Sequence, residues 1–154
     1  VTRTMKTILV TGGSGMVGKH LKEIMPEAVY LSSKDADLTS QEEALRVVEM
    51  YNPHTIIHLA ARVGGIQDNI SYPAEFFDEN ILMNTNILRA AQKAGVKRFI
   101  AIISTCIYPD VVDEYPMKEE DLFNGPPPPG NFSYAYAKRC MAVQIDAYNL
   151  RYKT

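Results

Sequence analysis

Ile8-Leu-Val-Thr-Gly-Gly-Ser-Gly-Met-Val-Gly18 is an apolar run that breaks into glycines and then resumes as an amphipathic segment. An unbroken apolar start is what a strand covered on both faces requires. Read from Gly13 the glycines fit G-x-G-x-x-G, and read from Gly12 they fit G-x-x-G-x-x-G. An early glycine takes the sharp turn, Gly15 lets backbone approach a pyrophosphate, and Gly18 lets helix and strand pack closely. The free N–H groups of Ser14, Gly15, Met16 and Val17 at the helix start then face the anion. The pattern follows an expected strand and precedes an expected helix, which is the context dinucleotide binding needs. An ordinary glycine-rich turn is the alternative.

Outward from this stretch, strands and helices alternate. Strands are expected at 6–11, 28–31, 55–59 and 97–103. Helices are expected at 16–25, ended by Pro26, and at 41–51, capped by Ser40 with Glu43 three residues on. Asn52-Pro53 stops the second helix. Segment 61–72 reads as a loop around Gly64 and Gly65. Pro73 opens a long helix to 94, with Gly95 as its stop. Segment 109–131 is irregular and proline-rich, and 132–152 returns to helical period. Alternation of this kind predicts a doubly wound parallel α/β sheet of the Rossmann type. No repeat or linker divides the chain, so 1–154 reads as one nucleotide-binding domain.

Composition narrows the function classes. The 154 residues are 46% hydrophobic and 22% charged with a formal net charge of −2, and Lys and Arg are scattered. That is a globular domain without a nucleic-acid surface. No apolar run approaches the ~20 residues of a membrane span. Cys106 and Cys140 make neither a metal cluster nor a disulfide framework, so no metal is expected and a reducing, cytoplasmic setting is. Met5 reads as the initiating residue, with 1–4 a foreign remnant.

The dinucleotide choice turns on the end of the second strand. A carboxylate there would hold the 2′-hydroxyl of NAD. The chain has Ser32-Ser33-Lys34 instead, with Asp35 the first acid. Hydroxyls and a cation suit a 2′-phosphate, which favours NADP(H). A solvated loop lysine is the plainer account of Lys34.

Tyr134-Ala-Tyr136-Ala-Lys138 contains Y-x-x-x-K. Four residues apart on a helix, Lys138 stands one turn from Tyr134. Its ammonium is expected to pull the phenol's pKa toward neutrality and fit Tyr134 as a proton donor or acceptor at a carbonyl. Tyr136 has only Cys140 at the same spacing. Ser104 follows the fourth strand, where ligands of parallel sheets bind, and can donate to a carbonyl oxygen. His58 reads as a hydrogen-bonded core histidine, His20 and His54 as solvated, Asn80 as a holder of backbone, and Cys140 as core. Phe76, Phe77, Ile81, Leu88, Met141, Ile145 and Tyr148 read as packing.

Together the glycine fingerprint, the post-strand hydroxyl and Y-x-x-x-K resemble the extended short-chain dehydrogenase/reductase family. Within it, Ser32-Ser-Lys-Asp-Ala-Asp-Leu38, His58-Leu-Ala-Ala61, Val63-Gly-Gly-Ile66, Ser104-Thr-Cys-Ile-Tyr-Pro109 and Asn124-Gly-Pro-Pro127 are most similar to the branch acting on GDP-4-keto-6-deoxy-mannose. The resemblance implies NADPH-dependent 3,5-epimerisation and 4-reduction to GDP-L-fucose. It implies Ser104, Tyr134 and Lys138 as the reductive triad and Cys106 as an epimerisation acid/base. Cofactor contacts are implied at Gly12, Gly13, Ser14, Gly15, Met16, Val17, Gly18, Ser33, Lys34, Asp37, Leu38, Leu59, Ala60, Ala61, Tyr134 and Lys138. It also implies a homodimer through the helices at 73–94 and 132–152. Members of the family run to roughly twice this length. The expectation is therefore an N-terminal fragment, with its sheet incomplete at the C-terminal end and the substrate domain and a partnering histidine beyond Thr154. Such a fragment is expected to be inactive alone. The competing readings are a sugar-nucleotide epimerase or dehydratase holding NAD, and a nucleotide-binding module without catalysis.

Overall fold

A computed structural model describes residues 6–112 and 114–152; the reading of Met5 lies outside them. The residues form two compact units that interleave in sequence. Of the described residues, the first holds 6–61, 82–102 and 152, the second 62–81, 103–112 and 114–151.

The first unit carries a four-stranded parallel sheet of β1 (Ile8–Thr11), β2 (Val29–Leu31), β3 (Thr55–His58) and β4 (Arg98–Ala101), in the order β2-β1-β3-β4. Leu9 stands between Val29 and Ile56, and Ile56 beside Phe99. That face packs on Ala44, Val47 and Val48 of α2 (Gln41–Tyr51) and on Ile87, Ala90 and Ala91 of α4 (Pro73–Lys93). Side chains one residue along point to the other face. There Lys22 of α1 (Met16–Ile24) stands over the Tyr30 ring, 5.9 Å from its centroid. Helices thus lie on both faces, as the β–α alternation predicts. Ser40 caps α2 by accepting the Glu43 N–H. The Glu43 carboxylate does not close the capping box but pairs with Arg46 at 2.8 Å. Asn52, left-handed at φ 40°, ends the helix.

The second unit holds α3 (Ile66–Ser71), the first turns of α4, three short 3-10 turns (Thr105–Ile107, Glu119–Phe123, Pro129–Asn131) and α5 (Phe132–Tyr152). The loop expected at 61–72 is thus partly helical. Asn69, buried, donates to the Gly65 carbonyl at 3.0 Å and pins the start of α3. A six-residue helix carries too few periods to be seen in sequence. Helix α5 starts and ends where its periodicity predicts.

Candidate active site

In the first unit, β1 and β3 are neighbours whose chains leave in opposite directions, one to β2 and one to β4. Ligands of open parallel sheets bind at the carboxyl ends beside such a reversal. Gly12 turns there at φ 67°, and a Cβ on it would lie 2.7 Å from the Ala60 nitrogen. Only glycine fits between β1 and Leu59-Ala60. A Cβ on Gly18 would meet the Gly13 oxygen at 2.5 Å, so helix and turn touch backbone to backbone. Gly15 faces open space apart from the Gly12 oxygen at 3.2 Å. Ser14, Gly15, Met16 and Val17 are exposed around it. Gly12 and Gly18 are thus needed for packing, while Gly15 leaves its backbone open.

A buried chain of hydrogen bonds ties the two strand ends together. Ala60 N–H donates to Thr11 Oγ1 (3.2 Å), and Thr11 Oγ1 lies 2.7 Å from His58 Nδ1. His58 Nε2 lies 3.0 Å from Asn84 Oδ1, an acceptor only, so Nε2 carries the hydrogen and Nδ1 accepts from Thr11. His58 is the hydrogen-bonded core residue that the sequence suggests. His20 is exposed and His54 is half-buried on Thr55.

At the tip of β2 the structure corrects one expectation. Asp35 turns back so that its Oδ2 accepts from both Ser32 N and Ser32 Oγ at 2.7 Å. Those two bonds hold its carboxyl below the usual range, so a carboxylate does stand at the strand end. Local hydrogen bonding at a Ser-x-x-Asp turn brings it there. Ser33 and Lys34 remain exposed. Arg46, unremarked in the sequence, donates to the Asp35 carbonyl at 3.0 Å and adds a second cation beside the turn. Asp37 is exposed and binds Thr39, while the Leu38 side chain lies in the core. Asn86 fixes that segment through the Leu38 and Thr39 carbonyls.

In the second unit, Ser104, Cys106, Tyr134 and Lys138 come together. Ser104 caps the turn Thr105–Ile107 by accepting the Cys106 N–H at 3.2 Å. Its hydroxyl stands near enough to the Tyr134 phenol to favour the ionised form. Burial outweighs that effect, and the nearby Cys106 adds to burial, so the Tyr134 pKa is raised above 10.0. Lys138 Nζ lies over the Tyr134 ring, 5.9 Å from its centroid. Burial lowers Lys138 itself to about 8. The expected downward pull of lysine on tyrosine is therefore not found. The lysine is desolvated, and the phenolate is desolvated too. Tyr134 stays protonated at neutral pH.

Asn80 is buried and grips the Arg62 backbone in both directions, Oδ1 accepting from N–H and Nδ2 donating to C=O, each 3.0 Å. It thus holds loop backbone. Arg62 pairs with Glu79 and lies over the Phe76 and Tyr72 rings. Cys140, expected in the core, is exposed. It lies with Phe132, Tyr136, Val143 and Leu150 on an exposed stripe of α5, opposite Ala135, Lys138 and Met141. Both faces of α5 are apolar, so its sequence does not say which is buried. Phe76 and Leu88 pack as expected, whereas Phe77 is exposed. Among the described residues no group of His, Cys, Asp and Glu is placed to hold a metal ion, and no helix is long and apolar enough to cross a membrane.

The pattern of the NAD dependent epimerase/dehydratase family matches residues 8–154. The chain belongs to this family. Among family relatives, a GDP-L-fucose synthase of Dictyostelium discoideum is 44% identical over 98% of this chain and 49% of its own length. A probable GDP-L-fucose synthase of Drosophila melanogaster is 41% identical over 96% of the chain and 48% of its own. The crystal structure of a GDP-L-fucose synthetase from Naegleria fowleri bound to NADP superposes with a TM-score of 0.87 at 40% identity, covering 96% of this chain and 49% of the other. The chain thus spans about half the length of the relatives it matches.

Proposed function

We propose that this chain is the nucleotide-binding half of an NADPH-dependent epimerase/reductase that converts GDP-4-keto-6-deoxy-D-mannose to GDP-L-fucose. The observation that carries the proposal is the gathering of the Ser104 hydroxyl, the Cys106 turn and the Lys138 side chain around the Tyr134 phenol. The GDP-L-fucose synthase relatives and the NADP held by the Naegleria protein support the substrate and cofactor. Gly12 through Gly18 would hold the pyrophosphate at the start of α1. Ser33 and Lys34 would face the 2′-phosphate, Asp37 and Leu38 the adenine, and Leu59 to Ala61 the wall beside them. NADP(H) supplies hydride when bound.

The chemistry follows from the substrate. A C4 ketone acidifies the protons on C3 and C5. Each is removed by a base and returned on the opposite face, with Cys106 as one of the two groups exchanging protons. Hydride then arrives at C4, and Tyr134, protonated because its phenolate is desolvated, gives its proton to the oxygen. Ser104 donates to the same oxygen, and the Lys138 ammonium offsets the phenolate left on Tyr134 until that oxygen takes a proton from solvent. A homodimer through the exposed stripe of α5 and the helix at 73–94, in a reducing cytoplasm, completes the proposal.

The test is the full-length protein with GDP-4-keto-6-deoxy-mannose and NADPH, followed by loss of NADPH absorbance and by the sugar formed. No NADPH oxidation above background sinks the proposal. The Asp35 carboxylate at the β2 tip favours a second reading, a sugar-nucleotide epimerase or dehydratase holding NAD. Mass spectrometry of the cofactor released from purified protein separates the two.

A further inference from the structure

We infer that Arg139 is a positioning residue for the proton-transfer cluster, clamping the turn that carries Ser104 and Cys106 onto α5. The inference rests on the epimerase/reductase reading. Arg139 is buried, immediately after Lys138. Its Nε donates to the Ile107 carbonyl, the residue after Cys106. Its Nη1 donates to the Gly125 carbonyl at 2.9 Å. The Tyr136 and Phe123 rings flank the guanidinium at 5.4 and 5.9 Å. One planar group thus ties three segments together: the turn Thr105–Ile107, the loop at 123–126 and the helix bearing Tyr134 and Lys138.

Among the described residues no carboxylate pairs with Arg139, and its Nη2 is buried without a partner. With no carboxylate to offset its charge, a buried cation contributes little net stability, and an apolar side chain of similar size would pack there as well. What the guanidinium adds is geometry. Its fork fixes two carbonyls at once, which a flexible ammonium does not. The Ser104 hydroxyl is held by the Cys106 N–H at one end of the turn, and Arg139 holds the other end. Loosening that end displaces Ser104 and Cys106 together from Tyr134, and small displacements of reacting groups cost up to about 100-fold in rate.

The experiment uses the full-length protein with Arg139→Met, Arg139→Lys and Arg139→Ala. Arg139→Met is expected to keep its unfolding midpoint, to lower kcat by roughly 10- to 100-fold, and to leave the KM for NADPH within about threefold. Arg139→Lys, able to reach one carbonyl, falls between. Guanidinium ion at non-denaturing concentration restores part of the Arg139→Ala kcat, and equal concentrations of sodium chloride or urea do not. An unchanged kcat in Arg139→Met overturns the inference. So does an Arg139→Ala enzyme that guanidinium fails to rescue. If Arg139→Met does not fold, Arg139→Lys with full kcat overturns it equally. Inactivity of the unsubstituted protein refutes the reading of function, whereas activity that ignores Arg139 refutes only this inference.

Discussion

Burial governs the titrating residues more than their neighbours do. Lys138 is held down to about 8 because water is excluded from its ammonium. Below that value the native state carries a desolvated charge. As pH rises, the folded form releases its proton before the unfolded form does, so stability should increase upward from about 8. Urea midpoints of the full-length protein taken from neutral to mildly alkaline pH should rise, and in Lys138→Met that slope should vanish. Tyr134 acts in the opposite sense, since its raised pKa withdraws stability as pH passes 10.0, so the comparison belongs below that point. Cys106 is separable by isotope. Cys106→Ser should slow solvent deuterium entry at C3 and C5 by more than it slows hydride transfer, each followed on its own substrate. Equal losses would remove the thiol from the epimerisation step. The residue types at 104, 106, 134 and 138 were legible in the chain, but their pKa directions were not, because burial is a property of packing.

At the level of elements, the glycine turn divides its work. Gly18→Ala forces a Cβ against backbone that cannot swing aside, and overpacking of this kind costs about 1–3 kcal/mol. Gly15→Ala meets only one oxygen at 3.2 Å. The expected pattern is a lowered unfolding midpoint for Gly18→Ala, and for Gly15→Ala a nearly unchanged midpoint with weaker NADPH binding by titration. If Gly15→Ala binds as tightly as the parent, the space in front of it is not the pyrophosphate site. Helices α1, α2, α4 and α5 were legible through their breakers, caps and periods. Helix α3 was not, because six residues carry too few periods; its start is held by the Asn69 amide on the nearby Gly64 and Gly65 carbonyls.

For the whole molecule, the exposed stripe on α5 is the feature that composition conceals. Phe132, Tyr136, Cys140, Val143 and Leu150 recur at steps of three, four or seven, the spacing of a helix seam. Contiguous apolar surface of this sort marks an interaction site. If the proposed homodimer closes through this stripe, Val143→Glu in the full-length protein should shift sedimentation from dimer to monomer while leaving the unfolding midpoint near that of the parent. A sedimentation coefficient that does not move removes the stripe from the proposed contact.

Residue order alone determined the parallel α/β sheet, the strand-turn-helix around Gly12 to Gly18, and the hydroxyl, thiol, phenol and ammonium of the candidate site, because each is written in local spacing. Folding decided what depends on distant segments meeting. It buried Lys138 while exposing Cys140, and put Arg139 against Ile107 and Gly125. The reason is that hydrogen-bond partners and solvent exclusion are set by neighbours in space, which no periodicity along the chain encodes.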